Sequence, residues 1–162
     1  MKKIAAILLL SLSFTLINSA LQAQDVTPSE KELQTNQIKS LIDSQLYVFA
    51  AKTVIPLSMQ SKSLLSTYEL KVSKDTIQAN LPYVGKTNSF EVGASESGIV
   101  FKSTNFKYTL QEKKKGGWNI KIVFKDAGDV KQMFLSVSST GYSTLQVTCQ
   151  AKESISYNGF VQ

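Results

Sequence analysis

The chain has no histidine among its 162 residues, a single cysteine, Cys149, three prolines and one tryptophan, and every one of its 18 basic residues is lysine. Without histidine it lacks the commonest general base near neutral pH and the commonest zinc ligand, so Ser-His and Cys-His nucleophile arrangements are excluded. Without arginine it lacks the side chain that grips phosphate and guanine edges through two bonds at once, which argues against nucleic acid as a partner. A lone cysteine cannot close an internal disulfide, so the fold must be held by its core even in an oxidising compartment. Cys149 lies in phase with Leu145 and Val147 and reads as a buried, inert thiol.

Carboxylates that could substitute for these groups are few. Asp126 and Asp129 flank a glycine turn, but calcium takes about six to eight oxygens. Glu91 and Glu96 share an irregular segment, and a mobile loop holds a glycosidase acid pair poorly. No glycine-rich phosphate loop precedes a helix. The expectation is a protein that is not an enzyme, with no metal and no cofactor.

What is present begins with a leader. Residues 1–23 carry Lys2 and Lys3, an apolar run from Ile4 to Ile17, and small and polar residues up to Ala23. This is the pattern of a secretory signal peptide, cut after Ala23 or, as the competing position, after Ala20. The run is shorter than the ~20 residues of a spanning helix. The sequence therefore predicts an exported chain, periplasmic or extracellular, without a transmembrane span once the leader is gone. Two of the six net positive charges sit on Lys2 and Lys3.

Residues 24–46 hold one amphipathic helix. Thr27-Pro28-Ser29-Glu30 reads as its start, with Thr27 as N-cap, Pro28 in the first turn and Glu30 closing a capping box. Leu33, Ile38, Leu41, Ile42 and Leu46 form its apolar stripe to about Gln45.

From Tyr47 to the end the period changes to two. Phe106, Tyr108 and Leu110 alternate with polar residues up to Lys113-Lys114-Lys115-Gly116-Gly117, and Trp118, Ile120, Ile122 and Phe124 alternate away. That is a β-hairpin in which Glu112 faces Trp118 and Phe106 faces Phe124, with every large apolar side chain on one face. The lysine run at its tip reads as a solvated cap that discourages sheet aggregation. A second hairpin pairs Tyr68, Leu70 and Val72 with Ile77, Ala79, Leu81 and Tyr83 across Ser73-Lys74-Asp75-Thr76, and Pro82 marks a sheet margin. Further strands fall at Tyr47–Val54, at Ile99–Phe101, and in a closing meander through Met133, Leu135, Leu145, Val147, Ile155 and Tyr157. The segment from Tyr83 to Gly98 is a long loop with a short strand at Ser89 to Val92.

About nine short strands joined by tight turns make residues 47–162 an antiparallel, all-β meander, barrel-like or a two-sheet sandwich, with the helix packed against it. Ala79 and Gly159 are the small residues beside which an interior cavity could remain.

Several fragments in one order, among them Leu81-Pro82-Tyr83-Val84-Gly85, Gly98-Ile99-Val100-Phe101, Gly116-Gly117-Trp118, Gly141-Tyr142-Ser143-Thr144-Leu145 and Ile155-Ser156-Tyr157-Asn158-Gly159, resemble a family of secreted Bacteroidetes proteins classed as domain of unknown function 4251. The resemblance implies an envelope or extracellular location and no activity. It also makes Asp75-Thr76-Ile77 look like an acceptor for O-linked glycans, with Thr76 modified on an exposed turn. The functional expectation is a binding module of the cell envelope for a small apolar, glycan or peptide ligand, using Tyr68, Tyr83, Phe90 and Tyr142. The alternatives are a structural or protein-interaction component of the envelope and, last, a hydrolase using carboxylates alone.

Overall fold

The computed structural model describes residues 29–85 and 98–162. The leader, Thr27, Pro28, and the loop residues Phe90, Glu91 and Glu96 lie outside them, as does the strand expected at Ser89 to Val92.

Helix α1 spans Glu30–Ser44. Its cap is Ser29, two residues later than the sequence pattern suggested: the Ser29 hydroxyl accepts from the Glu32 amide at 3.3 Å, and the Glu32 carboxylate accepts from the Ser29 amide at 2.8 Å. Ser29-Glu30-Lys31-Glu32 has the same box spacing as Thr27 to Glu30, and serine caps better than threonine. Gln45 ends the helix in the left-handed conformation (φ 52°). Of the expected stripe, Ile38 and Ile42 are buried and Leu41 is half-buried, whereas Leu33 and Leu46 stand largely in water. The two buried isoleucines contribute about 1.5–3 kcal/mol each to docking the helix.

Among the described residues nine strands follow: β1 Tyr47–Pro56, β2 Lys62–Val72, β3 Ile77–Leu81, β4 Ile99–Ser103, β5 Phe106–Glu112, β6 Trp118–Phe124, β7 Val130–Val137, β8 Tyr142–Cys149 and β9 Ile155–Val161. They form one antiparallel sheet in the order β4-β3-β2-β1-β9-β8-β7-β6-β5, curled into a nearly closed barrel. The sandwich alternative is set aside. Both edge strands are consecutive in the chain and, because every pair alternates in direction, they run the same way. Only Thr104 and Asn105 separate them, so the two edges meet within roughly 11 Å.

Three aromatic rings and one carboxylate close that seam. Phe101 stands edge-on to Phe124 at 5.1 Å between centroids, and Phe106 lies 6.4 Å from the same ring. Asp126 accepts from the Ser103 hydroxyl and from the amides of Thr104 and Asn105, both at 3.0 Å. These bonds hold its pKa below the ordinary value, the Ser103 hydroxyl contributing most.

The central hairpin has the register the alternation demanded, with Glu112 opposite Trp118, Leu110 opposite Ile120, Tyr108 opposite Ile122 and Phe106 opposite Phe124. Trp118, Ile120, Ile122 and Phe124 are buried, but Phe106 and Tyr108 are only half-buried and Leu110 is 39% exposed. β5 is an edge strand, so its inward side is covered by one neighbour instead of two.

Val72 faces Ile77 and Leu70 faces Ala79, again as expected. The strand read from Tyr68 begins earlier, at Lys62, and its pairing with β1 is interrupted by a bulge between Ser63 and Tyr68. Its serine-rich sequence hides the strand because Leu65 points wholly into solvent. Tyr83 lies beyond the last residue of β3.

No space for a cavity remains beside Gly159, and Ala79, though buried, lines a hollow on the outer face. A Cβ on Gly159 would stand 2.0 Å from the Ala50 carbonyl oxygen, so this glycine lets β9 lie against the bulge of β1. Phe49, Leu70, Ile120, Met133, Leu145 and Tyr157 are among the side chains that fill the barrel with no exposure beyond 1%.

Candidate functional site

With the interior occupied by protein, the chemistry available to a ligand is on the outside. Along each strand the residues between the buried ones point outward, and the register sorts them into rows.

On the arm β5 to β9 and its neighbour β1, one row reads Gln111, Asn119, Ser136, Thr144, Asn158 and Thr53. The row beside it reads Thr109, Lys121, Phe134, Gln146, Ser156 and Ile55. Only Lys121 is charged. Thr144 donates to the Asn158 side-chain oxygen at 2.9 Å, which orients that amide, and Phe134 stands 39% exposed in the middle. Amides offer two donors and a two-lone-pair acceptor, and hydroxyls offer both functions, so these rows can satisfy neighbouring hydroxyls of an uncharged polar ligand. Strands about 4.8 Å apart repeat that offer at close to the length of one pyranose unit.

On the arm β2 to β4 the outward side differs. Val48, Lys71, Gln78 and Lys102 make one row across β1 to β4, and Glu69, Asn80 and Val100 make the next. Two adjoining hollows of about 530 and 420 Å³ lie over them and share Lys71, Gln78 and Lys102.

The end of the barrel beneath β3 carries the third constellation. The Tyr157 hydroxyl donates to the Pro82 carbonyl at 2.6 Å and that of Tyr83 to the Glu153 carbonyl at 3.3 Å, with the Lys152 ammonium 5.1 Å from the Tyr83 ring centre. A hollow of about 250 Å³ touches Asp126, Asp129, Cys149 and Lys152. Both aspartates are engaged with backbone: Asp126 holds the seam, and one Asp129 oxygen accepts from the Gln150 and Ala151 amides at 3.0 and 2.6 Å. Burial, aided by the Asp129 carboxylate, pushes the Cys149 thiol up to about 11, so it stays protonated at neutral pH. Among the described residues no three of His, Cys, Asp and Glu are grouped to hold a metal ion, and no helix is long and apolar enough to cross a membrane.

The aromatics singled out from the sequence do not converge. Tyr68 is half-buried in β2, Tyr83 lies past β3 at one end, and Tyr142 opens β8 near the other end, on the outer face, stacked edge-on against Phe160 at 5.5 Å. Phe90 lies outside the described residues. Thr76 closes the β2–β3 turn, half-buried, its amide donating to the Ser73 hydroxyl and its carbonyl accepting from the Ser73 amide and hydroxyl. Of the lysines at the central hairpin tip, Lys113 is folded back, donating to the Ser136 hydroxyl at 2.7 Å and to the Val137 carbonyl at 3.1 Å. The two polar rows escaped the sequence reading because they exist only once six strands are in register. The signal was there in the uncharged outward positions of each strand, but only pairing lines them up.

Residues 29–161 match the family model described as "Domain of unknown function (DUF4251)". The chain belongs to this family. A crystal structure of a DUF4251 family protein from Bacteroides eggerthii resembles it with a TM-score of 0.58 and 12% sequence identity, over 80% of this chain and 87% of that one. No curated protein matches the chain. At that identity the crystal structure carries the fold alone.

Proposed function

We propose that this family member is an exported, non-enzymatic binding module whose ligand is a neutral glycan of the cell envelope, taken up across the outer rows of β5 to β9. The observation that carries this reading is the composition of those rows. Twelve outward positions carry one charge and one exposed aromatic ring, Phe134, with amides and hydroxyls at nine of the others. A flat ring presents a stacking surface to the C–H face of a sugar while flanking Lys121, Gln146, Asn119 and Asn158 bond its hydroxyls. The filled barrel supports an outer site over an inner one, and the residues 1–23 support export.

Affinity electrophoresis in gels containing dextran, mannan or xylan tests the reading, with the acidic polymer alginate as the comparison. Retardation by a neutral polysaccharide, lost in Phe134→Ala, is expected. Migration unaffected by every neutral polymer, or retarded by alginate alone, contradicts it.

A second reading, an interaction component of the envelope, draws on β5. Its inward side chains are partly exposed and, among the described residues, one of its edges makes no strand pairing, the geometry that accepts an added strand. Cross-linking in intact envelopes through a photoreactive residue at Thr109 should then capture one partner protein, and recovery of uncross-linked chain only removes this alternative.

A further inference from the structure

The groove over β1 to β4 has a different chemistry from the glycan rows, and we propose that it is a separate site for a small amphiphile with one carboxylate head, of the size of a medium-chain fatty acid. The groove follows a single cross-strand row, Val48 to Lys71 to Gln78 to Lys102. Three strand spacings put its ends roughly 14 Å apart. At one end Lys102 makes no ion pair or hydrogen bond among the described residues; Asp75 on the β2–β3 turn lies within electrostatic reach but does not hold the ammonium, which can bond an anion with the Gln78 amide beside it as a second donor. In the middle, the Lys71 ammonium is drawn aside by Glu69 at 3.1 Å, which leaves Lys102 as the row's cation without an ion pair and the Lys71 methylene stem as lining. At the other end Leu46, which is 65% exposed, and Val48 supply apolar lining beside Gln162, whose backbone pairs with that of Val48.

A single unpaired cation selects a singly charged head over a phosphate dianion. The combined hollow falls within the range of sites for small ligands, about 300–1,000 Å³. Charge at one end and apolar surface at the other also fix the direction of binding, head on β4 and tail toward β1.

The test is a titration of the exported chain with decanoate below its micelle concentration, followed by amide resonances, with N-methyldecanamide as the uncharged analogue. Saturable shifts confined to residues 46–48, 71–80 and 100–102 are expected for decanoate, and weaker ones for the amide. Lys102→Gln should weaken decanoate binding about fivefold or more, and Leu46→Ser should weaken both ligands. Both side chains are exposed, so both variants keep the fold. Absence of saturation, equal response to the two ligands, shifts centred elsewhere, or unchanged affinity in Lys102→Gln overturns the proposal.

Discussion

The two arms of the sheet share one interior and present opposite surfaces. From Glu69 to Lys102, three of the six outward side chains on β2 to β4 are charged. In the two rows across β5 to β9 and β1, one of twelve is, the other exposed lysines of those strands, Lys52, Lys107 and Lys131, lying outside the rows. Burial constrains only the inward set, which is apolar on both arms. The outward set answers to solvent and ligand alone, and strand formation does not require it to be uncharged in one place and charged in another. A chain of 18 lysines that leaves two adjoining rows almost free of charge has a surface pattern that solubility does not explain, since charges there favour solubility.

The largest expected effect comes from breaking the joint between the arms, where β9 lies on β1. Gly159→Ala forces a Cβ into the Ala50 carbonyl, and urea denaturation should register a loss of about 3 kcal/mol or more. Gly116→Ala, at the β5–β6 tip with φ +88° and open space around it, should cost only about 1–2 kcal/mol. Equal losses from the two would mean that the close approach at Gly159 does not hold the arms together.

Next in size is the bond that ties the β5–β9 arm to the end of β3. Burial holds the Tyr157 phenol far above its ordinary pKa, so it remains a hydrogen-bond donor to Pro82. Tyr157→Phe should lower unfolding free energy by about 1–2 kcal/mol, uniformly across pH 5 to 9, whereas a loss confined to the alkaline end would mean that the phenol ionises.

The arms should also differ in salt response. Decanoate binding at Lys102 should weaken as ionic strength rises, while glycan binding at Phe134 stays constant. Phe134→Ala should reduce glycan affinity about tenfold with stability within about 0.5 kcal/mol of wild type, as for exposed side chains generally. Parallel salt dependence at both sites would erase the distinction drawn between them.

The smallest effect concerns the seam. Because Asp126 has a lowered native pKa, its contribution is fully present above the unfolded value of about 4 and is lost as pH falls through the native one. Thermal unfolding of wild type and Asp126→Asn should therefore differ above about pH 4 and converge below it. Identical unfolding of the two proteins at every pH assigns the seam to its aromatic rings instead.

The inward half of this protein was legible in the sequence because burial writes itself as period two. Tyr108, Ile122, Leu70 and Ala79 meet the partners that alternation assigned them. Edge effects were not legible: Leu110 alternates like a core residue, and only the position of β5 in the sheet order exposes it. The cap at Ser29 was hidden by a second box of equal spacing, and the start of β2 by the outward Leu65. The sequence offered Tyr68, Tyr83, Phe90 and Tyr142 as one binding set, but a barrel has two ends and the sequence does not say which residue lies at which. The polar rows depend on six strands at once, and no window of sequence contains them.

The account rests most directly on where a neutral sugar chain touches the barrel. Titrating the protein with a neutral oligosaccharide while following side-chain amide resonances decides it. Shifts centred on Asn119, Gln146 and Asn158, with Gln78 and Asn80 unmoved, are the predicted result; shifts on the β2–β4 side, or none at saturating sugar, contradict it.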